Sequence, residues 1–372
     1  MGRSLGFGQG LLKLLAITMD ELEALLVLDA VAVHRPAGQR PVNGAHANDD
    51  ELDALELVRR VEASDVGAET LNRLESAFDE LATAYPVAPP QELLSGVRRH
   101  SAYVAHLMDA RKTLDEQRRL LTVGGWLSLL GATLHIDLNQ QHAATARLRT
   151  AATLAQHVGH AEIQAWCYET DAWRVLTDGD FLHAVELSRI AQRLAPVGSS
   201  VSIQATAQEG RARARLGHVK ETYAAIDRVQ MMSTTLERRK RPEHHYQYDP
   251  GKSTAYTATT LAWIGDPAAE RYAREIIANL GPSDEISKWP RRVASANIDL
   301  ALALLTTDRL DEACDAAQKA IQSGRVVPSN HWRVLEVVKA VEARQLPEAS
   351  DLREAYQGLK ASPPGGDRPD SS

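Results

Sequence analysis

Asp178-Gly179-Asp180-Phe181-Leu182-His183-Ala184-Val185-Glu186-Leu187-Ser188-Arg189-Ile190-Ala191-Gln192-Arg193-Leu194 decides how this chain folds. A tight polar turn opens the stretch, and Ala184, Leu187, Ala191 and Leu194 then fall three and four residues apart, on one face of a helix. Similar turns recur as Asp137-Leu138-Asn139, Leu216-Gly217-His218, Ile264-Gly265-Asp266 and Thr307-Asp308-Arg309. From Asn139 through Gly179, Gly217 and Gly265 to Asp308 the spacings are 40, 38, 48 and 43 residues. After the last turn, Leu310, Ala313, Ala317 and Ala320 repeat the small-residue face. A period of this length, sustained from Gly124 to about Gln345, predicts an all-α array of helical hairpins. The alanine content has a packing cause. Two helices of a hairpin approach closely only where the residues between them are small, while Leu and Ile fill the space to the next hairpin.

Within that array, Leu130-Gly131 with Leu134 and Ala143, and the interval of 12 from Ala184 to Pro196, resemble the tetratricopeptide repeat in degenerate form. Leu127 and Leu134 stand where that repeat has Trp and Tyr, and only Gly131 and Gly210 keep its glycine. The resemblance implies a tetratricopeptide-like solenoid, a right-handed superhelix whose first helices line a concave surface.

Such an array also suits a chain of 372 residues, which exceeds one compact core, because each repeat needs only its neighbours. The formal net charge of −7, with both signs interspersed, leaves no overall basic field to attract nucleic acid. Cys167 and Cys314 lie 147 residues apart in helical segments, so they read as small core residues rather than a disulfide or zinc framework. The apolar run over 11–17 is interrupted by Lys13 and is too short to span a membrane, so a cytoplasmic protein without membrane contact is expected.

Thr18-Met19-Asp20-Glu21 has the capping-box pattern that starts a helix, directly after Leu15-Ala16-Ile17. Residues 1–34 are read as either the remnant of a helix-turn-helix domain or an N-terminal helix, and 35–50, with Pro36, Gly38, Pro41, Asn43 and Gly44, as a linker. The repeat region covers 51–345, a terminal helix 346–361 and a disordered, Pro/Gly/Asp/Ser-rich tail 362–372. Leu71, Leu74, Phe78, Leu81 and Tyr85 predict an amphipathic helix stopped at Pro86. Leu94, Val97, Val104, Leu107 and Leu114 predict one long helix from Gln91 toward Leu121, ended by Gly124-Gly125.

The segment from Leu15 to Leu22 resembles the closing helices of Xre-type (lambda-repressor-like) helix-turn-helix domains. Pro89-Pro90 with Leu93-Leu94, Gly125-Trp126-Leu127, Tyr248-Asp249-Pro250 and Leu310-Asp311-Glu312-Ala313-Cys314 resemble the sensor region of actinobacterial Xre-family regulators, over roughly residues 60–340. The resemblance implies a regulatory module responsive to a peptide, a protein partner or a small-molecule effector, compatible with a homodimer. On this resemblance the DNA-binding head is expected only as a truncated stub without a recognition helix, so specific DNA binding by this chain is not expected. A protein-interaction scaffold with no role in transcription is the alternative.

No catalytic signature stands out, so the chain reads as a non-enzyme. Gly251-Lys252-Ser253 mimics the end of a phosphate-binding loop, but Tyr246 occupies the place of its first Gly. No cofactor or metal is expected: His244-His245 have no third ligand nearby and read as a solvated loop, as does the basic run Arg238-Arg239-Lys240-Arg241. In the segment 165–176, Ala165, Tyr168, Ala172 and Leu176 form the expected core stripe, and Trp166, Glu169 and Trp173 a second one that either packs between repeats or faces a ligand. Arg211 and Arg215, four apart, either pair with glutamates in water or read a carboxylate. Glu169, Trp173, Arg211 and Arg215 are the expected binding residues. They join an aromatic platform to two cations and one anion, which suits a short peptide or an amphipathic carboxylate.

Overall fold

The computed structural model describes residues 54–235, 242–280 and 289–361. The Thr18/Glu21 capping box, the remnant at 1–34, the linker at 35–50, the run from Arg238 to Arg241 and the tail at 362–372 lie outside them. The chain divides into two compact units, 1–61 and 62–372. The second is all-helical among the described residues. It runs α1 (Ala68–Ala84), α2 (Pro90–Met108), α3 (Leu114–Asp137), α4 (Gln141–Val158), α5 (Ala161–Thr177), α6 (Phe181–Leu194), α7 (Ser200–Arg215) and α8 (Val219–Thr234). It continues with α9 (Pro250–Ile264), α10 (Ala269–Leu280), α11 (Pro290–Thr306), α12 (Leu310–Gln322), a 3-10 turn (Pro328–Asn330), α13 (His331–Ala343) and α14 (Ala349–Ala361).

From α3 onward the helices pair in sequence as hairpins: α3 with α4, α5 with α6, α7 with α8, α9 with α10, α11 with α12 and α13 with α14. The first helices also pack on one another in order, α3 on α5, α5 on α7, α7 on α9, α9 on α11 and α11 on α13. All five expected turns fall between the two helices of a hairpin. Each reverses the chain through a left-handed residue, Asn139, Gly179, Gly217, Gly265 or Asp308, a conformation that Gly adopts freely and Asn and Asp tolerate. Ala184, Ala191, Ala313, Ala317 and Ala320 are buried, as the close hairpin contact requires. Gly210 shows how close that contact is, since a Cβ there would lie 3.1 Å from the Ala225 Cβ on α8.

Three readings of register are corrected. The long helix expected from Gln91 is two helices, because Thr113 and Glu116 form a capping box that starts α3 (Glu116 N to Thr113 Oγ1 3.2 Å, Thr113 N to Glu116 Oε2 2.8 Å). Leu114 is consequently exposed, and Gly124 and Gly125 sit inside α3, where Leu154 and Ile163 press to within 3.3 Å of where a Cβ would be. In α4 the fully buried small residue is Ala144, one position beyond the expected Ala143. In α5 Tyr168 is exposed, and Trp166 joins the core with Ala165, Ala172 and Leu176. Cys167 and Cys314 are buried and free. α3 has the length and composition of a membrane span, but 83% of that window is buried inside the protein.

Parts of this unit far apart in sequence meet. Arg291, opening α11, donates to Asp137 Oδ2 at the end of α3 (3.0 Å) and to the Ala88 carbonyl between α1 and α2 (2.8 Å). Arg325 reaches the Val87 carbonyl (3.3 Å), and the 3-10 turn packs on α3. The hairpins are therefore joined across, from their early members to their late ones, around a common interior.

Candidate functional site

That interior is a chamber of about 240 Å³, to which every first helix from α3 to α13 contributes. The residues that face it recur at helical intervals: Trp166, Glu169 and Trp173 on α5, Gln204 and Arg211 on α7, Lys252, Tyr256 and Thr259 on α9, and Arg292, Ser295 and Asp299 on α11. Seven residues of rise, about 10 Å, separate the first and last of each set, so the chamber is about two turns deep. One end lies at the helix starts, the other near their C-terminal halves.

Near the C-terminal halves, Arg211 is the central group. It is 7% exposed, and its guanidinium carbon lies 4.6 Å from the Trp173 ring centroid and 4.7 Å from that of Tyr256. Nη2 donates to Gln208 Oε1 at 2.5 Å, while among the described residues Nε has no acceptor and no ion pair forms to Arg211. Burial pulls its pKa down, partly offset by Tyr256 and Glu169. Beside it Arg333 pairs with Asp299, whose other oxygen accepts from Thr259 Oγ1 at 2.7 Å. Burial raises the Asp299 carboxyl despite these partners, and Arg333 Nε is likewise without an acceptor.

Arg215, one turn beyond Arg211, does not face the chamber. It pairs with Glu336 at 2.6 Å and packs against the rings of Phe181, Trp263 and Trp332, which close this end. Of the four expected binding residues the structure thus brings Glu169, Trp173 and Arg211 together in the chamber wall and places Arg215 behind it.

On the wall, Gln204 Nε2 donates to Glu169 Oε1 (3.2 Å) and to the Tyr256 hydroxyl (2.7 Å), leaving Gln204 Oε1 unpartnered. Burial raises the Glu169 carboxyl from the ordinary 4.5 to about 7, against the opposing pull of Gln204, Arg211 and Lys252. A carboxyl near neutrality beside a lone cation can change charge when something binds.

At the helix starts the cations are satisfied. Arg291 holds Asp137 and packs over Tyr85, Arg292 holds Asp249 (3.1 Å), and Lys252 Nζ donates to the carbonyls of His245 (2.8 Å) and Gln247 (2.5 Å). The Lys252 ammonium is thus committed to its own loop rather than to a phosphate cradle, and burial lowers its pKa to about 8. The same loop overturns the expectation that His244 and His245 are solvated. His244 is buried, Tyr246 stacks among Phe78, Trp126 and Trp166, and the His245 ring lies 4.1 Å from that of Tyr85. Burial and the Lys252 charge press the His245 pKa well down, so the ring is neutral. The aromatic neighbours explain the insertion: three large rings offer more apolar contact than water does, and the loop anchors through His245 N to the Ala82 carbonyl (2.9 Å).

Sequence reading missed Gln204, Tyr256, Asp299 and Arg333. Tyr256 and Thr259 share a stripe with Lys252 at intervals of four and seven, a signal that was present; nothing local marks Arg333 as the partner of Asp299, 34 positions away. Among the described residues no group of three or more His, Cys, Asp and Glu could hold a metal ion. No protein-family model matches the sequence, and no curated protein is significantly similar to it.

Proposed function

We propose that the chain is a regulatory sensor of the transcription-regulator type: a tetratricopeptide-like, right-handed solenoid of helical hairpins that recognises a small molecule in its interior. The observation that carries this reading is the convergence of all the first helices on one buried chamber whose lining includes polar atoms without partners, among them Arg211 Nε, Arg333 Nε and Gln204 Oε1. Polar atoms so placed call for partners, and a ligand with complementary polar groups supplies them. The contacts of Arg291 and Arg325 with residues 87–88 across the array favour a small molecule over an extended peptide. So does a volume below the roughly 300–1,000 Å³ of common ligand pockets.

Binding rather than catalysis fits the lining. Arg291, Arg292 and Arg333 are held in ion pairs and Lys252 by carbonyls, and among the described residues no Ser, Thr or Cys of the chamber is hydrogen-bonded to a histidine. The link to transcription rests on the resemblance of the N-terminal segment and of the array to Xre-family regulators. A ligand held by α5, α7, α9 and α11 together would stiffen the array and its cross-contacts, which is a means of signalling to an attached head or partner.

A thermal-shift screen of small organic compounds against the wild type and Ser295→Trp, which fills the chamber, tests the reading. Stabilising compounds should act on the wild type alone. If filling the chamber leaves every stabilising compound effective, the ligand site is elsewhere; if no compound acts and a protein partner still binds the filled variant, the chain is an interaction scaffold.

A further inference from the structure

Resting on the chamber as a ligand site, we infer that its ligand is a small amphipathic molecule with a single carboxylate, held by the free N–H edge of Arg211, its apolar body against Trp166, Ala255 and Ala296. The charge balance of the chamber singles out this place. Arg291, Arg292 and Arg333 each have a carboxylate within 3.1 Å or closer, Lys252 has two carbonyls, and Arg325, which is exposed, reaches the Val87 carbonyl. Among the described residues Arg211 has only the Gln208 amide as a hydrogen-bond partner, and it is buried. Two guanidiniums, Arg211 and Arg333, therefore share one paired carboxylate, Asp299. The nearest other carboxyl, Glu169, is drawn toward its neutral form by burial. This end of the chamber is one negative charge short.

Geometry selects the kind of anion. The rings of Trp173 and Tyr256 pack against the Arg211 guanidinium and Nε is shut off from the chamber, which leaves the terminal Nη groups to meet a partner. A planar carboxylate matches that edge with two parallel hydrogen bonds. A dianion would bring one charge more than the deficit and oppose Asp299, and a neutral group would leave the deficit standing. The volume equals that of about eight waters, enough for one aromatic ring system or a short acyl chain. The apolar part of the lining, Trp166, Ala255, Ala296 and Val326, accepts such a body.

Isothermal titration of the full chain with indole-3-propionate, hexanoate, indole-3-propionamide, tryptamine and inorganic phosphate tests the inference. At least one of the two carboxylates should bind, with the amide, the amine and phosphate weaker by about 30-fold or more, the scale of losing one partner of a buried charge pair. Arg211→Met should reduce carboxylate affinity to the level of the amide while leaving the amide itself unaffected. Arg211→Lys, which keeps the charge but loses the planar edge, should fall between them and serves if the methionine variant does not fold. Equal binding of indole-3-propionate and its amide, abolished by Ser295→Trp, would refute the anion while leaving the chamber a ligand site. Unchanged carboxylate affinity in the folded Arg211 variants, tighter binding of phosphate, or no binding of either carboxylate would also refute it. Failure of the chamber reading itself is recognised separately, when stabilising compounds act equally on Ser295→Trp.

Discussion

Replacing Glu169 by Gln should leave stability unchanged in acid and raise it above neutrality. The carboxyl is 5% exposed, with Oε1 3.2 Å from Gln204 Nε2, and burial raises it from 4.5 to about 7. Below 4.5 the group is protonated in both the folded and the unfolded chain, and no linked cost arises. Between 4.5 and about 7 the unfolded chain releases the proton while the folded chain keeps it, so stability falls as pH rises. Above that window both states are ionised and the full cost is in place. Such a shift corresponds to about 3 kcal/mol. Glutamine keeps the shape and an acceptor for Gln204 but never ionises. Relative to wild type, the variant should therefore gain about 3 kcal/mol between about pH 4 and about pH 8, read by urea denaturation followed by circular dichroism. A difference between variant and wild type that is the same at both pH values, or a Glu169 carboxyl carbon titrating at the ordinary carboxylate position, would refute the buried-carboxyl argument.

Two further outcomes test the architecture. Arg291→Met leaves Asp137, 3% exposed, without its cation and removes the bond to Ala88, so it should cost about 3–5 kcal/mol in thermal denaturation. Adding Asp137→Asn should recover most of that loss. Gly210→Val drives a side chain into Ala225 at the α7–α8 contact and should cost about 1–3 kcal/mol, read by chemical denaturation.

The hairpins were legible in the sequence because turn and helix signals there are local. A left-handed Gly, Asn or Asp marks each turn, and alanines three and four apart mark each close face. Where a local signal was ambiguous the reading slipped. Gly124-Gly125 looked like a helix end, but with Leu154 and Ile163 packed on them they are places where neighbours approach α3. Thr113 and Glu116, which do mark a helix start, carried the signal that had been overlooked. Tyr168 and Trp166 lie two positions apart and are both large, and only tertiary packing decides which enters the core. The chamber was half legible. Glu169, Trp173 and Arg211 follow from helical register, but Arg215 shares the register of Arg211 and still falls behind the wall, because Phe181, Trp263 and Trp332 from three other segments gather around it. The joining of Arg291 and Arg325 to residues 87–88 spans more than 200 positions, and no periodicity within one helix encodes it.

The central claim is that the interior of the array is a small-molecule site, and a crystal structure of the chain with its tightest-binding compound tests it most directly. The compound should lie inside the chamber, touching residues of α5, α7, α9 and α11 at once and meeting Arg211, with the bonds from Arg291 and Arg325 to residues 87–88 still formed. Density for the compound on an outer face, with the chamber unchanged and Arg211 still bonded only to Gln208, would contradict it.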